Sequence, residues 1–218
     1  MTSYNDYCTQ HSTQPDEALY AVYRSIMLHT ANPHMASSPY QGTFLQMITA
    51  IANPNISVEI GSHAGYGALC IARGMNPNGI LHLIESNEEY EPMIWQNAKS
   101  TGLDKLIKLH IGQAIDIIPS LPDGIGLAFV DADKEHYNDY YTLLLPKMKA
   151  GGLLLFDNML WYGQALAVAE TPHAAESHLR SNREARIIHA LNQRITNDPR
   201  VDNILLPIRD GIMLCRVK

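Results

Sequence analysis

The chain has 218 residues, of which 46% are hydrophobic and 17% charged, and its formal net charge is -6. This composition is typical of a folded globular protein and excludes a disordered chain. The excess of acidic residues disfavours non-specific binding to nucleic acid or to an anionic membrane, because both need a cationic surface.

The cysteines and the N-terminal residues predict a cytoplasmic protein. Cys8, Cys70 and Cys215 lie far apart and form no CxxC pair, so neither a disulfide framework nor a thiolate zinc site is expected. The N-terminal segment is polar and lacks the apolar core of a signal peptide. The longest apolar runs are of strand length, too short to cross a bilayer, so no membrane association is expected.

Helices are predicted at the N-terminal end of the chain, after a flexible tail over residues 1–15. A helical pattern starts at Asp16 and ends before Pro33, and a second helix is predicted over 39–52. The residues predicted to form the buried stripe of this second helix are Phe44, Leu45, Ile48 and Ile51. We expect residues 16–55 to close over the functional site.

A regular alternation of strands and helices follows. Short apolar runs that predict strands lie at 56–60, 80–84, 106–111, 125–130 and 152–156. Segments with helical periodicity lie between them, at 66–74, 88–102, 113–121 and 137–149. Strands with nearly continuous apolar runs, separated by helices, indicate a parallel sheet covered on both faces.

The C-terminal part predicts an antiparallel edge. After a polar, His-rich stretch over 164–183, a helix is expected near 184–197. Strands at 201–206 and 211–217 are joined by four residues, which indicates a hairpin. The fold class is therefore α/β, a doubly wound Rossmann-like and mostly parallel sheet in one domain over 16–218.

The first strand ends in a glycine-rich turn, Glu59-Ile60-Gly61-Ser62-His63-Ala64-Gly65-Tyr66-Gly67. Its spacing is GxxxGxG, not the GxGxxG that holds a dinucleotide pyrophosphate. Glu85 closes the second strand, where a carboxylate can accept hydrogen bonds from ribose hydroxyls. A turn with carboxylates and no lysine suits S-adenosylmethionine (SAM) better than NAD or ATP.

Polar side chains also follow the fourth and fifth strands. Asp131 and Asp133 come after one strand, and Asp157 and Asn158 after the other. Oxygen ligands at neighbouring strand ends favour a hard divalent cation, Mg²⁺ first and Ca²⁺ or Mn²⁺ as alternatives. We expect Asp131, Asp157 and Asn158 to be the metal ligands and Asp133 to face the cofactor.

Lys134 is the predicted general base. A nearby cation and the positive end of the following helix would both disfavour its ammonium form. A lysine in that position can become a general base.

Four motifs resemble the class I, metal-dependent O-methyltransferases of the caffeoyl-CoA and catechol type. These motifs are EIGxxxGYG at 59–67, FVDADKxxY at 129–137, DNxLWxG at 157–163 and LPxxDG at 206–211. The resemblance covers the chain from about Asp16 to its end. It implies a Rossmann-like methyltransferase sheet, a homodimer, and an acceptor-site insertion over 159–183.

The resemblance also implies roles for individual residues. Lys134 matches the catalytic base, and Asp131, Asp157 and Asn158 match the metal ligands. The positions that match cofactor contacts are Met35, Glu59, Gly61, Ser62, His63, Gly65, Gly67, Glu85, Gln113, Ala114, Asp131 and Asp133. Ser37 and Trp161 match acceptor contacts. The chain departs from the family at Gly67, where a Ser or Thr hydroxyl usually reaches the cofactor, and at His63, where an aromatic residue is common.

The predicted reaction is transfer of a methyl group from SAM to a hydroxyl of a metal-chelated, catechol-like small molecule. A hydroxylated uridine in tRNA is the alternative acceptor, because it also offers adjacent oxygens to a metal. The net charge of -6 disfavours it, but the locally basic C-terminal region leaves it open. Its basic residues are Arg180, Arg183, Arg186, Arg194, Arg200 and Lys218. An NAD-dependent oxidoreductase and a non-catalytic binding protein are more remote alternatives.

Overall fold

The computed structural model describes residues 4–170 and 180–218, excluding the side chains of residues 5 and 180–182. The helices in this part of the chain are α1 (Tyr4–Gln10), α2 (Glu17–His29), α3 (Pro39–Ala52), α4 (Tyr66–Gly74), α5 (Glu91–Ser100), α6 (Ala114–Ile117), α7 (Tyr137–Leu144), α8 (Gln164–Glu170) and α9 (Arg180–Thr196). The strands are β1 (Ile56–Ile60), β2 (Ile80–Glu85), β3 (Ile107–Ile111), β4 (Ile125–Val130), β5 (Met148–Phe156), β6 (Val201–Leu206) and β7 (Ile212–Val217).

The strands follow the order β3-β2-β1-β4-β5-β7-β6 in a seven-stranded sheet. The pairs β1–β2, β2–β3 and β4–β5 are parallel. Strand β7 pairs antiparallel with both β5 and β6. The predicted mostly parallel sheet with an antiparallel C-terminal edge is confirmed.

The chain divides into two compact units, Met1–Gln113 and Ala114–Lys218, which we call the N-terminal and the C-terminal unit. The prediction of a single domain over 16–218 stays a prediction, as does that of a flexible tail over 1–15. Within the predicted tail the structure has helix α1, and Thr43 donates a hydrogen bond to the carbonyl oxygen of Thr13 at 2.9 Å.

The N-terminal unit packs α2 and α3 against α4. Asp16 caps α2 by accepting a hydrogen bond from the backbone N–H of Leu19 at 2.9 Å, and it forms an ion pair with Arg73 of α4 at 2.8 Å. Helix α3 approaches α4 closely at Gly42, where a Cβ atom would lie 2.7 Å from the Cys70 sulfur. The predicted buried stripe of α3 is wrong at its end, because Ile51 is 76% exposed.

The actual buried stripe of α3 is partly polar. Gln41, Leu45 and Thr49 are fully buried, whereas Phe44 and Ile48 are only half-buried. The Thr49 hydroxyl satisfies its hydrogen bonding inside the helix by donating to the Leu45 carbonyl oxygen at 2.6 Å. The prediction considered only apolar residues, and it therefore placed the buried stripe on the neighbouring face of the helix.

The C-terminal unit buries one face of α7 and one face of α9. Buried residues of α7 are Tyr137, Tyr140, Tyr141 and Leu144, and those of α9 are Ala185, Ile188, Leu191 and Ile195. Their spacing of three or four residues is that of an amphipathic helix. Residues 171–179 of the predicted acceptor-site insertion, and the Arg180 side chain, lie outside the described residues.

Proline shortens two predicted helices. The helix predicted over 113–121 ends at Ile117 and continues as a 3-10 turn that contains Pro119. The helix predicted over 137–149 ends at Leu144, before a 3-10 turn that contains Pro146, and strand β5 starts at Met148. Proline lacks the N–H that continues an α-helix, which accounts for both differences.

In the part of the chain that the structure describes, no helix has the length and the apolar character needed to span a membrane.

Candidate active site

The turn after β1 has the backbone that its glycines predict. Gly61 and Gly65 have φ angles of 83° and 89°, a left-handed conformation that side chains disfavour. The N–H of Gly61 donates to the Ile84 carbonyl oxygen at 2.9 Å, and Gly65 starts helix α4. Ser62 in the middle of the turn is buried. The turn is thus fixed at the end of β1.

Glu85 is held by two backbone groups. Its Oε2 accepts a hydrogen bond from the N–H of His63 at 2.8 Å, and its Oε1 accepts one from the N–H of Asn87 at 2.9 Å. Each carboxylate oxygen has a further lone pair. A buried carboxylate oriented in this way can accept hydrogen bonds from two adjacent hydroxyl groups, such as those of a ribose.

His63 has a packed side chain. Its φ angle is 50°, its side chain is buried, and its ring lies 4.4 Å from the Tyr90 ring, measured between centroids. The next residue of the turn is also anchored, since Asn97 of α5 donates to the Ala64 carbonyl oxygen at 2.9 Å.

Gly67 faces a carboxylate. A Cβ atom at this position would lie 2.5 Å from Oε1 of Glu59 and 3.4 Å from the Ser37 hydroxyl oxygen. Both neighbours are buried. The space that a Ser or Thr side chain would take is therefore filled by Glu59, and the structure brings Glu59, Gly67 and Ser37 together.

Three further residues match cofactor positions in the family. Met35 is 57% exposed, Gln113 is exposed, and Ala114 is buried at the start of α6. The adjoining Gly112 donates its N–H to the Glu85 carbonyl oxygen at 2.9 Å. Their cofactor roles stay predictions.

In the C-terminal unit, the ends of β4 and β5 bring the predicted metal ligands to one place. The N–H of Asp157 donates to the Val130 carbonyl oxygen at 3.0 Å, which aligns the two strand ends. The Asp157 side chain is 1% exposed, and its Oδ1 accepts the N–H of Asn158 at 2.7 Å. Asn158 has a φ of 60°, a conformation that Asn adopts more readily than most residues.

Lys134 is buried beside these strand ends. Its Nζ donates to Oδ1 of Asp131 at 3.2 Å and to the Tyr137 hydroxyl at 2.6 Å. The Tyr137 hydroxyl lies 3.3 Å from the carbonyl oxygens of both Val130 and Asp157. Burial, followed by the charges of Asp131 and Asp157, raises the pKa of Tyr137. Tyr137 therefore stays protonated and can donate to one of the two carbonyl groups while it accepts from Lys134.

Asp133 is occupied by two other side chains. Its Oδ1 accepts a hydrogen bond from the Tyr140 hydroxyl at 2.6 Å, and its Oδ2 contacts Nδ1 of His136. The hydrogen bond between Asp133 and His136 raises the pKa of His136. The carboxylate is half exposed and can still interact with a positively charged ligand group.

Tyr137 and Asp210 also have contacts at this site, although no role was predicted for them from the sequence. Both belong to the quoted motifs, as the last residue of FVDADKxxY and the Asp of LPxxDG. Asp210 accepts a hydrogen bond from the backbone N–H of Tyr162, and the neighbouring Trp161 ring lies 6.0 Å from Lys134 Nζ. The motif positions were the only signal for these residues.

The donor set at the ends of β4 and β5 suits a hard cation. Two carboxylates and one amide provide only oxygen ligands, which Mg²⁺, Ca²⁺ and Mn²⁺ prefer. Among the residues that the structure describes, no cluster of three or more His, Cys, Asp or Glu could hold a metal ion. A cation here would therefore depend on the Asn158 amide as its third protein ligand.

Solved structures share the fold of this chain. A SAH-bound methyltransferase of Podospora anserina, PaMTH1, matches with a TM-score of 0.85 at 24% identity, covering 97% of this chain and 92% of its own. The O-methyltransferase TomG of Streptomyces achromogenes, solved with SAM, matches with a TM-score of 0.84 at 23% identity, covering 98% and 95%. The predicted Rossmann-like methyltransferase fold is confirmed.

Sequence relatives define the family. The model of the O-methyltransferase family matches residues 9–218, and the chain belongs to this family. Caffeoyl-CoA O-methyltransferase 2 of Populus trichocarpa is 32% identical over 188 residues, 84% of this chain and 74% of the relative. Caffeoyl-CoA O-methyltransferase of Medicago sativa is 30% identical over the same length. The chain is thus a class I, SAM-dependent O-methyltransferase of the caffeoyl-CoA type, as its motifs predicted.

Proposed function

We propose that this enzyme methylates a hydroxyl group of a catechol-like small molecule, that a divalent cation holds this acceptor, and that Lys134 is the general base. The observation that carries the proposal is the burial of Lys134 between Asp131 and Tyr137, whose hydroxyl also lies beside the carbonyl oxygen of the predicted ligand Asp157. Surface lysines are solvated, whereas this one is 7% exposed and fixed by two hydrogen bonds.

The N-terminal unit supplies the groups for the methyl donor. The Glu85 carboxylate would accept the ribose hydroxyls of SAM, and the glycine turn would allow its backbone to approach the cofactor. Glu59 beside Gly67 adds a buried carboxylate in place of the usual hydroxyl. Its negative charge suits the ammonium group that SAM carries.

Asp131, Asp157 and Asn158 would hold the divalent cation. When bound, such an ion acts as a Lewis acid that lowers the pKa of a coordinated hydroxyl and orients it. A catechol offers two adjacent oxygens that could both bind the cation. Binding through both oxygens would orient the acceptor, and this orientation alone would raise the reaction rate.

Lys134 would take the proton of the acceptor hydroxyl as the oxygen attacks the methyl carbon. The new carbon–oxygen bond forms while the bond between that carbon and the sulfonium breaks, and the electron pair stays on sulfur as SAH leaves. Tyr137 keeps Nζ in place for this step. General-base catalysis by a positioned side chain contributes about a hundredfold or more.

The small-molecule acceptor is favoured over tRNA by the contacts of the basic residues. Arg183 forms an ion pair with Glu135 at 3.2 Å, and Arg200 forms one with Asp198 at 2.6 Å. Arg194 donates to the Asn138 carbonyl oxygen at 3.0 Å. Because carboxylates neutralise Arg183 and Arg200, these two arginines attract phosphates less.

The test compares Lys134→Ala with Lys149→Ala, which removes an exposed lysine of the same unit. We expect Lys134→Ala to lower kcat for a simple catechol by about a hundredfold or more, with an unchanged dissociation constant for SAM by calorimetry. Lys149→Ala should have the kcat and the SAM dissociation constant of the wild type. A kcat of Lys134→Ala close to that of Lys149→Ala would exclude Lys134 as the base. Parallel assays on bulk tRNA test the acceptor class.

A further inference from the structure

The turn over residues 158–163 has an unusual backbone. Three of its non-glycine residues have left-handed φ angles, with 60° for Asn158, 48° for Trp161 and 52° for Tyr162. Such angles cost free energy, because the Cβ atom crowds the backbone, and they persist only where surrounding contacts hold them. Contacts with neighbouring segments must therefore hold the 158–163 turn in this conformation.

The turn between β6 and β7 provides those contacts. The N–H groups of Met159 and Leu160 donate to the carbonyl oxygens of Gly211 and Asp210 at 2.9 and 2.8 Å. The Asp210 carboxylate accepts the N–H of Tyr162. Three backbone donors of the 158–163 turn are thus satisfied by two consecutive residues.

The fit between the two turns is close. Gly211 has a φ of 91°, and a Cβ atom there would lie 2.5 Å from Cγ and 2.9 Å from the backbone nitrogen of Leu160. Helix α9 adds a further contact, since Asn192 donates to the Met159 carbonyl oxygen at 3.0 Å. The 158–163 turn is therefore fixed from two sides.

Asp210 is linked to the predicted ligand Asn158 through the backbone of this turn. Asn158 is its first residue, and the next residue, Met159, is held by the carbonyl oxygen of Gly211. Contacts that fix the turn therefore fix the backbone, with its φ of 60°, from which the Asn158 side chain projects.

We propose that Asp210 is a positioning residue, which fixes the 158–163 turn and with it the backbone that carries Asn158, and thereby sets cation affinity and the position of the Trp161 ring. This inference rests on the proposed function, because it concerns the same site. Groups that orient metal ligands strongly affect the affinity for the metal, and removing such a group commonly lowers this affinity by about 10-fold to 100-fold.

The test uses two readouts that need no turnover. Cation affinity is measured by titrating Mg²⁺ and Mn²⁺ into the enzyme in a calorimeter. The chain has two tryptophans, so a Trp95→Phe background makes Trp161 emission a reporter of the 158–163 turn. Asp202→Ala is the matched control, because Asp202 lies in the same hairpin and forms only exposed ion pairs with Arg216 and Lys218 among the contacts described.

We expect Asp210→Ala to weaken cation binding by about tenfold or more and to shift Trp161 emission, with unchanged SAM affinity. Asp210→Asn retains a neutral, weaker acceptor for the Tyr162 N–H, so emission and cation affinity should both lie between those of the wild type and those of Asp210→Ala. Wild-type cation affinity in folded Asp210→Ala, or in Asp210→Asn if the Ala variant does not fold, would overturn the proposal.

Failure of the proposed function would look different. If the wild-type enzyme bound no divalent cation, the metal part of the proposed function would be wrong, whereas the Trp161 emission of Asp210→Ala would still decide whether Asp210 fixes the turn. Emission identical to the Asp202→Ala control would then overturn the positioning role.

Discussion

The Tyr137 hydroxyl accepts a hydrogen bond from Lys134 Nζ at 2.6 Å, and the Lys134 Nζ lies 4.5 Å from the centre of the Tyr137 ring. The same hydroxyl lies 3.3 Å from carbonyl oxygens at the ends of β4 and β5. The position of the proposed base is therefore tied to the two strands that carry the predicted metal ligands.

Tyr137→Phe should lower kcat about tenfold, because the base loses the group that fixes it, and should cost about 1 kcal/mol of stability for the lost hydrogen bond. Tyr141→Phe is the control, since its hydroxyl donates to Asp198 Oδ2 at 2.9 Å, away from the site. The control should lose similar stability and keep its kcat. Equal kcat values for both variants would show that Tyr137 has only a structural role.

Gly67→Ala should lower both the melting temperature and SAM affinity. The new Cβ would lie 2.5 Å from Oε1 of buried Glu59, so the carboxylate must shift. Shortening that side chain with Glu59→Asp in the same protein should restore part of the melting temperature, as expected for two residues in contact. Independent, additive effects of the two substitutions would contradict this account.

Asp157→Asn should weaken divalent-cation binding by about tenfold or more and abolish metal-dependent transfer, because an amide is a weaker ligand than a carboxylate. SAM affinity should stay unchanged. Asp139→Asn removes an exposed carboxylate of α7 and serves as the control. Calorimetric titration with Mn²⁺ measures the effect, and equal cation affinity in the two variants would remove Asp157 from the metal site.

The stability of the fold should decrease in mild acid because of His82. Its Nδ1 lies 3.0 Å from Nε2 of His110, and burial, with His110 and Lys108 nearby, lowers the pKa of His82 from 6.5 to about 4. Between these pH values the unfolded chain binds a proton at His82 and the folded chain does not. The contribution of His82 to stability is therefore fully present above pH 6.5 and is lost as the pH falls toward about 4.

His82→Leu should flatten the dependence of the melting temperature on pH across that window. His29→Leu, at an exposed position near the end of α2, should leave it unchanged. Identical pH profiles for the wild type and His82→Leu would show that His82 does not couple to folding.

The strands were predictable because their apolar runs end at polar residues. The predicted strands at 56–60 and 125–130 match β1 and β4 to the residue. Helix ends were less predictable, since Pro119 and Pro146 stop α6 and α7 earlier than periodicity indicates. The stripe on α3 was misplaced because Thr49 is buried with its hydroxyl bonded inside the helix.

The candidate site was predictable only where it follows strand ends. Parallel strands bring Asp131 and Asp157 to one edge, and this needs only the strand order. The contact of Asp210 with the 158–163 turn depends on how a hairpin packs, and that of Tyr137 with Lys134 depends on a 3-10 turn over Lys134–His136. No repeating pattern of residues in the sequence indicates either contact.

The central claim is tested most directly by transfer of labelled methyl from SAM to a simple catechol, with Mg²⁺ and again with EDTA. The account predicts transfer with Mg²⁺, its loss with EDTA, and its recovery when excess Mg²⁺ is restored. Transfer of equal rate in EDTA would contradict the metal-held acceptor, and no transfer in any condition would contradict the catechol-like acceptor.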